Sequence, residues 1–358
     1  MTKRVLLVSE LMLHYRVSLY NLFHTYFRSN QIELHVFSDK KLEDTQIQFN
    51  YSHGEFRYSQ LKRTTLELRP DTVIFHWNPY NLASWSYWLW LKNRGIKIVY
   101  WSHGVSMQNP NNKLKRMIYA YLRFSADSIL LYSKNELKYV SKRNRQKTFV
   151  ANNTINFFDF PKITDSKEEL RKKHSFKFTK IVLFVGRIQK RKRLDVIINI
   201  FRDIKDMDTG LIIVGSNMPK AIEETIERMT NVIYLGPIYD KLKINEIFKC
   251  SDVFCIPGTN GLGINQAMYW GLPVLTMNVH HSPEIVYLKN GKNGYIAEDE
   301  IKLKEKIVEI LNNPEELALL SSQATKTILE EASPLKMFQG FMRALQFLKA
   351  KQNNDQVA

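Results

Sequence analysis

Short apolar runs separated by longer mixed segments mark the first half of the chain. Residues 5–8, 33–37, 72–76, 96–101 and 128–132 read as strands, with helical patterns between them. A second series starts at 181–185 and continues through 210–214, 232–235, 253–256 and 273–276. Runs that are apolar throughout suit strands covered on both faces, and their alternation with helices predicts parallel sheets of the α/β class. Residues 152–154 end the first series, and 156–177 read as a linker followed by a charged helix. The pattern therefore predicts one domain over 1–160, a second over 161–333, and a helix with tail over 334–358. In that helix Met337, Phe341, Leu345 and Leu348 share one face, and 351–358 read as a disordered tail.

Ligands of parallel sheets collect at the carboxyl ends of the strands, which points to residues 9–16, 77–81 and 102–108 in the first half. His103, in Trp101-Ser102-His103-Gly104, directly follows an apolar run and precedes a glycine. A neutral imidazole there could hydrogen-bond a substrate hydroxyl or a departing phosphate, and a satisfied core histidine is the competing reading. The aromatic stretch 81–91 reads as a helix buried against its sheet. Over 112–124, Leu114, Met117, Ile118 and Tyr121 fall on one helical face, with Lys115, Arg116, Tyr119 and Arg123 elsewhere. Such a basic amphipathic helix suits the headgroup region of an anionic membrane or packing on its own domain, and 142–147 (KRNRQK) adds to the positive surface.

Two stretches of the second half suit a phosphate-rich ligand. Residues 253–276 (VFCIPGTNGLGINQAMYWGLPVLT) run from strand to helix through Gly258, Gly261 and Gly263, whose backbone N–H groups an anion could approach without meeting a side chain. The spacing matches neither the dinucleotide nor the P-loop fingerprint. Directly after the first strand of this half, Gly186 is followed by five cations in seven residues: Arg187, Lys190, Arg191, Lys192 and Arg193. Arg can fork onto two phosphate oxygens and Lys supplies a compact charge, so the segment suits a diphosphate.

Charge sharpens this picture. The net charge of +17 is unevenly placed, with 23 Lys and Arg against 11 Asp and Glu in residues 1–160. A field of that sign predicts an anionic partner for the first half. No nucleic-acid module signature is visible, so nucleic acid is not expected. No apolar run is long enough to span a bilayer, and the N-terminus reads as a first strand rather than a signal peptide, which predicts the cytoplasm or the inner face of the cell membrane. Cys250 and Cys255 read as core residues. Asp206-Met207-Asp208 has the form of a metal-holding pair, but it precedes a predicted strand and reads as a solvated turn.

The second half resembles the group-1 (family 4) retaining glycosyltransferases, enzymes with two Rossmann-like domains in the GT-B arrangement. VGRIQKRKRLD is similar to their diphosphate-binding element, VIYLGP to the strand and turn beside the nucleotide base, and GLGINQAMYWGLPVLT to their Gly-rich helix start. Ser282-Pro283-Glu284-Ile285 and 290–295 are similar to the family's segments just beyond that helix. Trp101-Ser102-His103-Gly104 and Tyr132-Ser133 resemble first-domain segments, and the last helix resembles one that crosses back between domains. The resemblance implies two domains facing across a crevice. It implies a donor site of Gly186, Arg187, Lys192, Gly236, Pro237, Ile238, Leu242, Thr259, Asn260, Gly261, Leu262, Gly263 and Gln266, with His103, Arg187 and Lys192 carrying catalysis. The implied donor is a UDP- or GDP-linked sugar, the acceptor a saccharide or lipid-linked molecule in cell-surface polysaccharide or glycolipid biosynthesis, with no metal or cofactor; the positive first half and the 112–124 helix, rather than the resemblance, predict peripheral contact with anionic membrane. Two departures stand out. The family's paired glutamates are Gly258 and Gln266 here, and the Ser9-Glu10-Leu11 loop lacks the usual glycine pair. A non-catalytic basic protein binding nucleic acid or membrane, and a sugar-nucleotide epimerase of similar architecture, are the alternatives.

Overall fold

The first apolar series folds into seven parallel strands: β1 (Lys3–Ser9), β2 (Ile32–Ser38), β3 (Asn50–His53), β4 (Thr72–His76), β5 (Lys97–Ser102), β6 (Ser128–Leu131) and β7 (Thr148–Val150). They lie in the order β3-β2-β1-β4-β5-β6-β7, with Leu7 opposite Val36 on one side and Ile74 on the other. The computed structural model describes residues 3–13, 15–39, 41, 46–76, 81–104, 111–204 and 206–357. It divides into two compact units, Met1–Asn156 with Pro334–Ala358, and Phe157–Ser333.

In the first unit α1 (Tyr15–Ser29), α2 (Tyr58–Leu68), α3 (Leu82–Asn93), α4 (Lys113–Ser125) and the single turn α5 (Lys142–Arg145) connect the strands. One face of the sheet carries α1, whose Phe23 and Phe27 meet Phe338 and Phe341 of the last helix, ring centroids 4.9–5.7 Å apart. Tilted and edge-on pairs at that spacing add to plain area burial. The other face buries Tyr87, Trp88 and Leu91 of α3 with Leu122 of α4, so the aromatic helix is a packing element as its composition predicts.

The second unit has six parallel strands in the order β10-β9-β8-β11-β12-β13: β8 (Lys180–Val185), β9 (Thr209–Val214), β10 (Val232–Tyr234), β11 (Val253–Cys255), β12 (Val274–Met277) and β13 (Gly294–Ala297). Its helices are α6 (Lys167–Lys173), α7 (Leu194–Asp203), α8 (Lys220–Ile226), α9 (Lys241–Cys250), α10 (Gly263–Tyr269), α11 (Glu300–Leu311) and α12 (Pro314–Glu331). Cys250 and Cys255 are free and buried. The last helix, α13 (Pro334–Val357), returns to the first unit. There a side chain on Gly340 would come within 2.3 Å of the Val150 carbonyl, so only glycine allows that helix so near β7.

Three sequence expectations need correction. Helix α13 runs through Val357, so 351–357 are helical where a disordered tail was expected; no Pro or Gly interrupts that stretch. Phe157 and Phe160, counted with the first domain, pack on Tyr269 and Trp270 of the second unit, with Phe157 stacked 5.0 Å from Tyr269. Arg123, expected on the basic surface of its helix, is buried and donates to the Gly104 carbonyl.

Candidate active site

In the second unit β8 ends at Gly186, whose φ of +146° is open to glycine and strained for other residues. A side chain there would also meet the Lys192 ammonium at 3.1 Å, so Lys192 lies folded over the glycine. The floor is tightly built: Gly186 N–H donates to Val214 O, Gly215 N–H to Gly236 O and the Tyr234 hydroxyl to Gly215 O, lacing the ends of β8, β9 and β10. A side chain on Gly215 would strike the Gly186 carbonyl at 2.2 Å. Half-buried Lys192 has no carboxylate partner among the described residues. Burial first, and then neighbouring Arg191, push its pKa down to about 8. A desolvated cation without a counter-ion is held at a cost, and an anionic ligand would relieve it. Arg187 is exposed beside it. Arg193 is not available to a ligand in the same way, since it pairs with Glu300 at 2.6 Å, and Arg191 donates to its neighbour Gln189.

The glycine loop after β11 is bolted to this lysine. Gly258 N–H donates to Lys192 O (3.0 Å) and Thr259 N–H to Arg191 O (2.8 Å). A side chain on Gly258 would lie 2.1 Å from the Arg191 carbonyl, which explains why no glutamate stands at this position. We expect Gly258→Ala to destabilise the fold by about 1–3 kcal/mol, because backbone must move to admit the methyl group. Thermal unfolding checks it: an unchanged melting temperature would mean that the two loops are not in this contact.

Thr259 and Asn260, expected to touch the donor, are engaged within the protein. The Thr259 hydroxyl donates to His280 O, and the Asn260 carboxamide to Ile256 O and Thr276 Oγ1. The Asn260 N–H donates to His281 Nδ1, and His281 Nε2 in turn binds Met277 O. These two residues hold the loop rather than offer it donors, and His281, unsuspected from sequence, is their partner. Gly261, Leu262 and Gly263 differ. Their N–H groups have no acceptor among the described residues, and half-buried Gly263 stands where α10 begins.

Gln266, on the first turn of α10, donates to Asn245 Oδ1 (3.1 Å), which also accepts from Trp270 Nε1 (2.7 Å). The Asn245 amide nitrogen is fixed on Lys241 O (2.7 Å), so its oxygen must face these donors. A glutamate at 266 would set oxygen against oxygen; glutamine fits and keeps its own Oε1 to accept a hydroxyl. Gly236 (φ +69°), Pro237 and Ile238 form the turn after β10, and exposed Leu242 lies on the first turn of α9. Asp206 is a turn residue: it accepts from the Thr209 hydroxyl and the Asp208 N–H, and it pairs with Lys180.

The first unit presents His103 at the carboxyl end of β5. Its ring stacks on Tyr132 (centroids 4.2 Å, 18° between planes), and Nδ1 lies 3.2 Å from Glu136 Oε1. The other Glu136 oxygen accepts the N–H groups of Tyr132 (2.8 Å) and Ser133 (3.1 Å). A carboxylate oxygen in this contact accepts, so Nδ1 carries the proton, and the tautomer that leaves Nε2 bare offers it as an acceptor. About a third of the side chain is exposed, so it is not a core histidine. Glu136 is not among the sequence candidates, although the Ser133-x-x-Glu136 spacing of a capping box points to it. His76, at the end of β4, lies 3.4 Å from Ser9 Oγ; burial, then the charges of His103 and Arg16, push its pKa down to about 3 and keep it neutral. Of the other strand-end segments, 14, 77–80 and 105–108 lie outside the described residues.

Residues 179–313 match the family described as Glycosyl transferases group 1. A 41.2 kDa protein in the cps region of Klebsiella pneumoniae is 26% identical over 238 residues, covering 62% of this chain and 63% of that protein. The chain thus spans about three fifths of the length of that relative. Anabaena HepE in complex with UDP superposes with a TM-score of 0.78 at 15% identity, over 96% of this chain and 99% of that one, and HepE is also known with UDP-glucose. WaaG, a glycosyltransferase involved in lipopolysaccharide biosynthesis, superposes with a TM-score of 0.67 at 16% identity, over 93% and 98%. Residues 179–313 match the model of the glycosyl transferases group 1 family, and the two-sheet chain that carries them has the GT-B fold.

Proposed function

We propose that the protein is a retaining glycosyltransferase that moves a sugar from a UDP-linked donor to a saccharide or lipid-linked acceptor in cell-surface polysaccharide or glycolipid synthesis. The observation that carries this reading is Lys192: a desolvated cation with no carboxylate partner among the described residues, fixed to the loop whose Gly261, Leu262 and Gly263 amides are open. A diphosphate meets both needs. HepE with UDP and UDP-glucose, and WaaG with its role in lipopolysaccharide biosynthesis, support the donor and acceptor classes.

In this reaction the bond between the anomeric carbon and the donor phosphate oxygen breaks, and the carbon bonds to the acceptor oxygen on the same face. The acceptor proton passes to the departing diphosphate, whose growing charge Lys192 and Arg187 neutralise. Gln266 Oε1 accepts a ribose hydroxyl, the turn at Gly236, Pro237 and Ile238 with Leu242 borders the base, and His103 Nε2 accepts a hydroxyl of the transferred sugar.

Titration calorimetry with a UDP-sugar tests the donor site. Lys192 in the empty site loses its proton near pH 8, and a bound diphosphate holds that proton on, so binding takes up protons as pH rises through 8. Affinity should be flat up to about pH 7.5 and fall by up to about tenfold per unit well above pH 8, with proton uptake visible in buffers of different ionisation heat. GDP-sugars should bind more weakly. Binding without proton uptake at pH 8–9, or no binding by any nucleotide, would remove the assignment.

A further inference from the structure

The glycine loop offers a sugar almost no side chain. Gly258, Gly261 and Gly263 have none, Leu262 is apolar, and Thr259 and Asn260 turn their polar groups into the protein. What these two hold in place is the segment 278–282, which leaves the carboxyl end of β12. Asn278 N–H donates to Ala297 O (2.8 Å), the Thr259 hydroxyl to His280 O (2.9 Å), and Ser282 N–H to Asn260 O (3.1 Å). His281 completes the bracing. Its Nδ1 accepts the Asn260 N–H (3.2 Å), so Nε2 carries the proton and donates it to Met277 O (2.9 Å). Both ring nitrogens of His281 are thereby engaged. Its neighbour His280 is exposed, and its ring has no partner among the described residues. Half-buried Ser282 makes no side-chain bond to the helical turn it caps. Its Oγ lies 3.6 Å from where a side chain on Gly261 would begin, against a residue whose own N–H is open.

On the transferase reading, we infer that His280 and Ser282 contact the hydroxyls of the transferred sugar and so set which nucleotide sugar the protein uses. Sheet order places them. The strands run β10-β9-β8-β11-β12, and the proposed nucleotide contacts follow that line: the turn after β10 for the base, then Lys192 after β8 and the glycine loop after β11 for the diphosphate. Next beyond the diphosphate stands the carboxyl end of β12, where 278–282 begins. Chemistry agrees with position. A sugar hydroxyl both donates and accepts, and a neutral imidazole or a serine hydroxyl can answer it either way. Because His281 and the glycine loop already fix the backbone of 278–282, little ordering is left for the sugar to impose. From residue 250 to residue 288 the chain has no Lys or Arg, so the segment offers no cation to a sugar bearing a carboxylate. The class of ligand is a neutral, hydroxyl-rich sugar.

Calorimetry with UDP, UDP-glucose, UDP-galactose and their N-acetylated counterparts tests this on the full chain, without any acceptor. The wild type should separate the sugars that differ at a single hydroxyl. His280→Ala and Ser282→Ala should each raise Kd for the preferred UDP-sugar by about 2- to 13-fold, the worth of one neutral hydrogen bond. The preference between epimers should shrink in at least one of the two variants. Affinity for UDP alone and the melting temperature should keep their wild-type values, because neither side chain has a partner within the protein to lose. Ser282→Thr, which keeps the hydroxyl, should bind like the wild type. Unchanged UDP-sugar affinity in both alanine variants, a fall for UDP in step with the UDP-sugars, or a wild type that binds UDP but does not tell the sugars apart, would overturn the inference. A wild type that binds neither UDP nor any UDP-sugar would instead strike the transferase reading.

Discussion

Replacing Lys192 with alanine is expected to lower kcat/KM roughly 30- to 1,000-fold, or about 2–4 kcal/mol of transition-state stabilisation, in a protein that still folds. The ammonium lies over Gly186 without a counter-ion among the described residues, so its proposed interaction with a departing diphosphate is set up before the reaction begins. The same geometry predicts an opposite effect on stability. Lys192→Met removes a cation whose burial is uncompensated in the empty protein, so that variant should melt at a higher temperature than the wild type while losing donor affinity. Arg187→Ala should fall at the lower end of the activity range, because exposed Arg187 must be ordered by the ligand before it contributes. Release of UDP from a UDP-sugar measures the first effect and thermal unfolding the second. Near-wild-type turnover in both Lys192→Ala and Arg187→Ala would end the diphosphate assignment.

The strands of the sheet interiors were legible because they are buried on both faces and therefore apolar at every position, as in Val5 to Val8 and Ile181 to Phe184. Of the four edge strands only Val232–Tyr234 was read; the other three were not. Asn50–His53 is polar and half-exposed, Thr148–Val150 is three residues long, and Gly294–Ala297 starts at a glycine. Edge position relaxes the need for an apolar run, and with it goes the signal.

The candidate donor site was legible by residue type and less so by direction. Five cations after β8 suit an anion, but only the fold shows Arg193 paired with Glu300 and Lys192 left without an acid among the described residues. Thr259 and Asn260 have the side chains of ligand contacts, yet His280, His281 and Arg191, distant in sequence, occupy their donors. Gln266 looks like a loss where a glutamate is usual. Beside Asn245 Oδ1 it is the residue type that satisfies the hydrogen bond. Arg123 shows the same limit: its spacing on α4 suggests a surface charge, and the Gly104 carbonyl draws it inside.

Removing the His103 side chain should depress kcat by about 5- to 150-fold, the cost of leaving a buried sugar hydroxyl unsatisfied at about 1–3 kcal/mol, and leave UDP affinity nearly unchanged. The separation arises from the fold, since His103 belongs to the first unit and the residues proposed to hold the nucleotide to the second. Glu136 acts through the histidine as a positioning residue. One of its oxygens holds Nδ1–H and the other is fixed by the Tyr132 and Ser133 amides, so the ring is kept with Nε2 as an acceptor. A glutamine at 136 cannot serve both. Its oxygen can face the imidazole only if its NH2 group faces two N–H donors, and in the flipped orientation the NH2 group meets Nδ1 instead, favouring the tautomer with the proton on Nε2. Glu136→Gln should therefore lower kcat less than His103→Ala, without changing KM for the donor. Nitrogen NMR shifts of the imidazole should move from the Nδ1–H pattern of the wild type toward Nε2–H. A wild-type ring already protonated on Nε2, or a His103→Ala protein that loses UDP binding in step with activity, would show that His103 does not accept a sugar hydroxyl in the way described.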